Sequence, residues 1–365
     1  MFRIEMLPAG HGDCIYLEYG DSESPHRVLI DGGPYYAFKP LAMRIKEMAR
    51  KNLAFDLLVV THVDCDHIDG MLKILGSNLS NLRKSDTDIW FNSWEQLKEE
   101  PEDILGPPHG EMLSALIKEN KLTWNEAFEK KAVANPNRTN LTCKPLPGGL
   151  KLTLLSPTKD ELDKLKPVWN EEVRKAGLEP GSRDQALQAL KRNLRLQPED
   201  LLGEKPLDIE SLAEEEFELE TSETNASSIA FLAEYEDKKC IFAGDAQPDV
   251  LSASIEQVLA ERGEPRLKLD AFKLSHHGSK NNTNSSLLHL LDCKRFLVSS
   301  NGKFYHHPDR ETIARIISEN GPNTELFFNY RSNENKIWCN DALQQRYRYK
   351  AYYPAAGKEG LTVSI

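Results

Sequence analysis

Apolar positions recur at two different spacings along this 365-residue chain. FRIEML (2–7), CIYLEY (14–19) and RVLIDGG (27–33) are short runs rich in Ile, Leu, Val and Tyr, separated by corners at Gly10, Gly12, Gly32 and Gly33. That pattern predicts strands joined by tight turns. KPLAMRIKEMAR (39–50) instead spaces its apolar residues as one face of a helix, with basic residues on the other, and delivers the chain into the apolar run FDLLVVT (55–61). IDGMLKILG (68–76) reads as a further helix. The opening is therefore strand-rich, with a strand, helix, strand order.

After DIWFNSW (88–94) the pattern changes to long polar helices: GEMLSALIKEN (110–120), KDELDKLKPVWNEEVRKAG (159–177) and RDQALQALKRNLRLQ (183–197). Pro198 to Thr224 is acidic and Pro-containing, the composition of an exposed linker or edge. Strands return in SSIAFLAEY (227–235), KKCIFAGD (238–245), AFKLS (271–275) and KRFLVSS (294–300). The reading is one α/β domain over 1–365, with a helical insertion and acidic segment at 96–222. No fixed-period repeat is present.

Length is ample for a sizeable core without disulfides. Cys14, Cys65, Cys143, Cys240, Cys293 and Cys339 form no C-x-x-C pair and read as reduced packing residues. No leader pattern and no run approaching 18 apolar residues is seen, so a soluble, cytoplasmic chain with no membrane contact is expected. With 57 acids against 46 bases the net charge is -11, which disfavours a surface that grips nucleic acid nonspecifically. A phosphate substrate would need cations in the site.

The densest chemistry is THVDCDHIDG (61–70), directly after the apolar run. His62, Asp64, Asp66 and His67 lie where a strand gives way to a helix, and imidazole nitrogen with carboxylate oxygen suits zinc, manganese or iron(II). The competing reading is a solvated acidic turn in which His67 caps the helix and the aspartates satisfy its free N–H groups. Other apolar runs also end in ligand-type residues: Asp31, Asp245, His276 with His277, and His306 with His307 before a helix. Several such ends suggest one rim where a site assembles.

The spacing H-x-D-x-D-H followed by I-D-G, then GD after a strand, then HHGS, resembles the metallo-β-lactamase fold hydrolases. Within them it is most similar to the subgroup typified by the nuclease-like domain of the DNA-uptake protein ComEC and by phosphorylcholine esterases. The likeness includes GHGDCIYLEYG, LIDGG and NASSIAFLAEYEDKKCIFAGDA, spans 1 to about 95 and 145 to 320, and leaves out the helical middle.

The resemblance implies an αββα sandwich holding two divalent metal ions, zinc or manganese. His62 and Asp64 would serve one ion, Asp66 and His67 the other, with Asp245 bridging and His277 completing a shell. His276 would face the substrate and donate a proton, and Asp31 would orient a ligand from behind. Asp64 stands where the wider superfamily has histidine, which hardens the site. The third-motif histidine of the superfamily has no clear match between His67 and Asp245. His109, beside a Pro-Pro turn, Asn92, as an oxygen donor, and no ligand at all are the alternatives. The catalytic set is Asp66, His276 and Lys280, the last being equally a solvated surface lysine. His307 resembles the HP corner that follows HHGS and is substrate-facing, with His306 a bystander. Ser279 is a cap or turn residue.

The function expected is a metal-dependent phosphodiesterase or nuclease, acting on nucleic acid or another phosphodiester through metal-activated water. Trp90, Trp94, Trp124 and Trp169 are core residues or stacking surfaces for bases. A thioester, lactone or lactam hydrolase of the same fold is the alternative enzyme. A non-catalytic metal-binding regulatory module, meeting a protein partner through the helical insertion, is the third reading.

Overall fold

Phe2–Met6 alternates buried and half-buried positions, whereas every residue of Ile15–Gly20 is buried. The second pattern needs cover on both faces of the sheet. In the computed structural model, which describes residues 1–77, 87–97, 108–176, 185–187, 189 and 208–365, that cover is a second sheet on one side and helices on the other.

The first sheet contains β1 (Phe2–Met6), β2 (Ile15–Gly20), β3 (Pro25–Ile30), β4 (Leu57–Val59), β5 (Asp88–Trp90), β6 (Thr123–Trp124) and, beyond β1, β17 (Leu361–Ser364). It is antiparallel from β17 through β3 and parallel from β3 to β6. The second sheet runs β16 (Tyr349–Tyr352), β15 (Thr324–Phe328), β14 (Arg295–Val298), β12 (Ala271–Lys273), β10 (Lys238–Phe242), β9 (Ala230–Tyr235), β8 (Lys151–Ser156) and β7 (Cys143–Pro145). It too joins an antiparallel part, β7 to β10, to a parallel part, β10 to β16. β11 (Leu267–Leu269) and β13 (Leu291–Cys293) pair by themselves.

Four layers result. Between the sheets, Ile4, Leu17, Val28, Leu57 and Trp90 meet Leu152, Phe231, Phe242 and Leu297. On the outer face of the first sheet, Tyr16, Leu29, Leu58 and Ile89 pack under α1 (Phe38–Arg50), α2 (Cys65–Gly76), α3 (Pro108–Glu119) and α4 (Lys159–Lys175). Over the second sheet, α5 (Pro248–Arg262) and α6 (Arg310–Asn320) cover Leu232, Ile241, Phe272 and Phe296. Trp90, Trp94 and Trp169 are buried in these cores.

Within 96–222, read from the sequence as helical, α3 and α4 are present, but β6 extends the first sheet and β7 and β8 extend the second. The expected helix at 183–197, apart from residues 185–187 and 189, and the acidic stretch 198–207 lie outside the described residues. Cys14, Cys240 and Cys293 are buried as expected of packing residues; Cys65 and Cys143 are exposed.

α2 lies unusually close to its neighbours. A Cβ added at Gly70 would stand 2.0 Å from the Gly32 carbonyl oxygen, and one at Gly12 would stand 1.8 Å from that of Asp66. The bare backbones instead exchange hydrogen bonds, Gly32 N–H to the His67 carbonyl at 2.8 Å and Gly70 N–H to that of Gly33 at 2.8 Å. These contacts fix the first turns of α2, which carry Asp66 and His67. No helix among the described residues is long and apolar enough to cross a membrane.

Candidate metal centre

Parallel strands release their chains at one edge, where loops from different strands can converge. Here β3 ends before Asp31, β4 before His62 to His67, β10 before Asp245, and β12 before His276 and His277. Asp31, His276 and His277 all adopt the left-handed backbone region, at φ of 59°, 46° and 55°. Such non-glycine conformations cost on the order of 1–3 kcal/mol each and persist only where surrounding contacts impose them.

Two groups of donors share Asp245. In the inner group, His67 Nε2 lies 3.2 Å from His277 Nε2, 3.4 Å from Asp245 Oδ1 and 3.8 Å from Asp66 Oδ2. Asp66 Oδ2 is also 3.3 Å from His277 Nε2. In the outer group, His62 Nε2 lies 3.5 Å from Asp64 Oδ2 and 3.7 Å from Asp245 Oδ2, which is 3.8 Å from His276 Nε2. One carboxylate thus turns an oxygen to each group.

The far nitrogen of every imidazole meets an acceptor. His67 Nδ1 is 2.8 Å from Asp31 Oδ2, and His277 Nδ1 is 3.0 Å from the Ser299 carbonyl. His276 Nδ1 lies 3.2 Å from Glu220 Oε2 and 3.1 Å from Asn282 Oδ1. Thr61 Oγ1 donates to Asp31 at 2.7 Å and so accepts from His62 Nδ1 at 3.1 Å. Each acceptor selects the Nδ1–H tautomer, which leaves the Nε2 lone pairs converging on Asp245. Two of them face each other at 3.2 Å in the inner group, an arrangement that needs a shared proton or a metal cation between them.

The remaining atoms point the same way. His62 Nε2 and Asp245 Oδ1 are buried without a hydrogen-bond partner among the described residues. His62, His67 and Asp245, and Asp66, His67 and His277, are nitrogen and oxygen donor groups close enough to hold divalent metal ions, with Asp64 and His276 at 3.5 and 3.8 Å from their edge. The field around the centre favours positive charge. Burial opposes the charge on His277, but Asp13 and Asp245, with hydrogen bonds to Asp13 and Asp66, raise its pKa to about 9. Burial likewise opposes the ionised Asp245, but the neighbouring imidazoles His67, His276 and His277 hold its carboxyl well below the usual range.

Other residues singled out in the sequence lie at varying removes. Asn92 is committed elsewhere: its amide donates to the Val133 carbonyl at 3.0 Å and accepts from the Val133 N–H at 2.8 Å. His109 contacts Cys65 and Asp69. Lys280 is about half exposed, its ammonium 3.8 Å from Glu311. His307 is mostly buried, with its ring 5.3 Å from that of His276 and 6.2 Å from that of Tyr305, and burial lowers its pKa.

Three contributors were missed in the sequence. Glu220 braces His276 from the acidic segment, and burial-opposed hydrogen bonding from His276 takes its pKa down to about 2. Asp13 stands 3.4 Å from His277 Nδ1, and the fully buried Lys273 neutralises it at 2.7 Å. A lysine inside the apolar strand AFK was the available signal for the last pair.

No protein-family model matches the chain, and no curated protein matches it. Among solved structures it is similar to a point mutant of the beta-hydroxylase CmlA, at 11% identity and a TM-score of 0.37, with 100% of this chain and 54% of that chain covered. The chain thus spans about half the length of that enzyme, and a likeness at this score carries no argument about function.

Proposed function

We propose that the chain is a metal-dependent hydrolase of the metallo-β-lactamase fold, a single domain with an insertion at 96–222, acting on phosphodiester bonds. The observation that carries this reading is the convergence of four Nδ1-braced imidazoles on a carboxylate that faces two ways. His62, Asp64 and His276 would hold one zinc or manganese ion and Asp66, His67 and His277 the other, with Asp245 shared. His276 thereby takes the place left by the missing third-motif histidine, in preference to Asn92 and His109. Two divalent cations bound there would acidify water and offset charge on a phosphoryl oxygen.

The side chains around the centre have separable tasks. Asp31, Glu220, Thr61 and the Ser299 carbonyl hold the ring orientations. His307, poised beside His276 and kept neutral by burial, takes the substrate-facing role. Lys280 is a rim cation for a flanking phosphate, and nucleic acid is the polymer the ComEC-like motifs favour.

Protein loaded with zinc or manganese should hydrolyse bis-p-nitrophenyl phosphate, and His62→Ala and Asp245→Ala should each lower turnover by on the order of a thousandfold. Undiminished turnover in both variants would sink the proposal. Activity confined to thioester or lactone substrates under the same loading would move the assignment to that ester class.

A further inference from the structure

We infer that Cys65, Asp69 and His109 form a second, mononuclear metal site, selective for zinc, on the surface beside the dinuclear centre. Cys65 and Asp69 are four residues apart on α2 and therefore share a face. His109 reaches them from the first turn of α3. Cys65 Sγ lies 3.9 Å from His109 Nε2, and the same nitrogen lies 3.6 Å from Asp69 Oδ1. One ligand atom from each residue falls within 4.8 Å of the other two.

Those separations suit zinc. Bond lengths of about 2.3 Å to sulfur and about 2.0–2.2 Å to nitrogen and oxygen place tetrahedral ligand atoms roughly 3.3–3.6 Å apart. Small side-chain rotations close the difference. The second oxygen of Asp69 accepts the Tyr35 N–H at 3.2 Å, which leaves Oδ1 for the metal. Cys65 is exposed and the His109 side chain is 32% exposed, so a solvated cation can enter and a water can fill the fourth position.

The donor sets of the two sites differ in kind. The proposed dinuclear centre has only nitrogen and oxygen ligands, while this one adds a thiolate, a soft donor that selects zinc or cobalt over manganese or magnesium. Occupancy ties α2, whose first turn carries Asp66 and His67, to α3. The site therefore acts as a staple at the edge of the catalytic loop and takes no part in the reaction.

Cobalt titration of the metal-stripped full chain separates the two sites. Wild-type protein should show ligand-field bands from the dinuclear centre and, in addition, a thiolate-to-cobalt charge-transfer band in the near ultraviolet. Cys65→Ser and His109→Ala should each lose that band and one equivalent of metal while keeping bis-p-nitrophenyl phosphate turnover within about twofold, since neither residue touches the centre. A wild-type protein without the charge-transfer band, or one whose band survives Cys65→Ser, would overturn the inference. Loss of the ligand-field bands in Cys65→Ser protein would instead count against the dinuclear reading.

Discussion

The two donor groups that share Asp245 are built unequally. In the inner group the side chains of His67 and His277 are 0% and 1% exposed, and a buried carboxylate stands behind each: Asp31 behind one, Asp13 behind the other. In the outer group Asp64 is 44% exposed and His276 20%, and the brace on His276 comes from Glu220 near the surface. The inner cluster is the more deeply enclosed, whereas the outer one, although its His62 is fully buried, reaches solvent through Asp64 and His276. Preorganised ligands bind with less ordering cost, so on the proposed reading the inner group would bind its ion the more tightly and the outer group would be the side open to water and substrate.

Three measurements test that asymmetry. The largest effect is expected from Lys273→Met, which strands the Asp13 carboxylate behind the inner group. Removing one partner of a buried pair costs about 3–5 kcal/mol, so urea unfolding of the metal-loaded protein should shift by that amount; a shift below about 1 kcal/mol would show that the pair is solvated. Next comes a matched pair of brace substitutions. Asp31→Asn should weaken binding of the tighter metal about 10–100-fold in a chelator competition. Glu220→Gln should weaken the looser metal by less than about tenfold, because a brace near water is partly replaced by solvent. Equal losses, or the reverse ranking, would remove the distinction between the groups.

The smallest effect concerns the metal-free protein. His277 has its pKa raised from 6.5 to about 9 in the folded chain, so between those values the folded state binds more protons than the unfolded one. Stability from this group is full below pH 6.5 and is lost as pH rises towards about 9. Denaturant titrations after metal stripping should show that decline, and bound metal should abolish it; a flat profile without metal would mean that the inner imidazoles are not held in a cation-seeking field.

Much of this arrangement was legible in the sequence, and the exceptions have physical causes. THVDCDHIDG could be read because ligand-type side chains at the end of an apolar strand are hard to bury singly. Asp245 and the pair His276 and His277 followed the same rule. Residues that act from behind were harder to see. Glu220 is one acid among many in an acidic segment, and its partner lies 56 positions away in a contact that local pattern does not encode. Asn92 has the chemistry of a ligand, yet both ends of its amide are used by the Val133 backbone. β6 and β7 were hidden because TW (123–124) and CKP (143–145) are too short to show strand alternation and gain their conformation from the strands they pair with, whereas β8, KLTLLS, carries a strand-like apolar pattern that the reading of 96–222 as helical passed over. The resemblance gave His276 a substrate-facing role; in the fold its Nε2 lies 3.8 Å from Asp245 Oδ2, and it and His277 are successive left-handed residues.

The loop of the first sheet and the loops of the second meet only across the sandwich, and His67 and His277 are 210 positions apart. Neither half of the polypeptide therefore carries all the donors of the proposed centre. During synthesis, a nascent chain must emerge past Gly278 and dock its two halves before these donors can face one another, so on the proposed reading metal capture would report on completed folding.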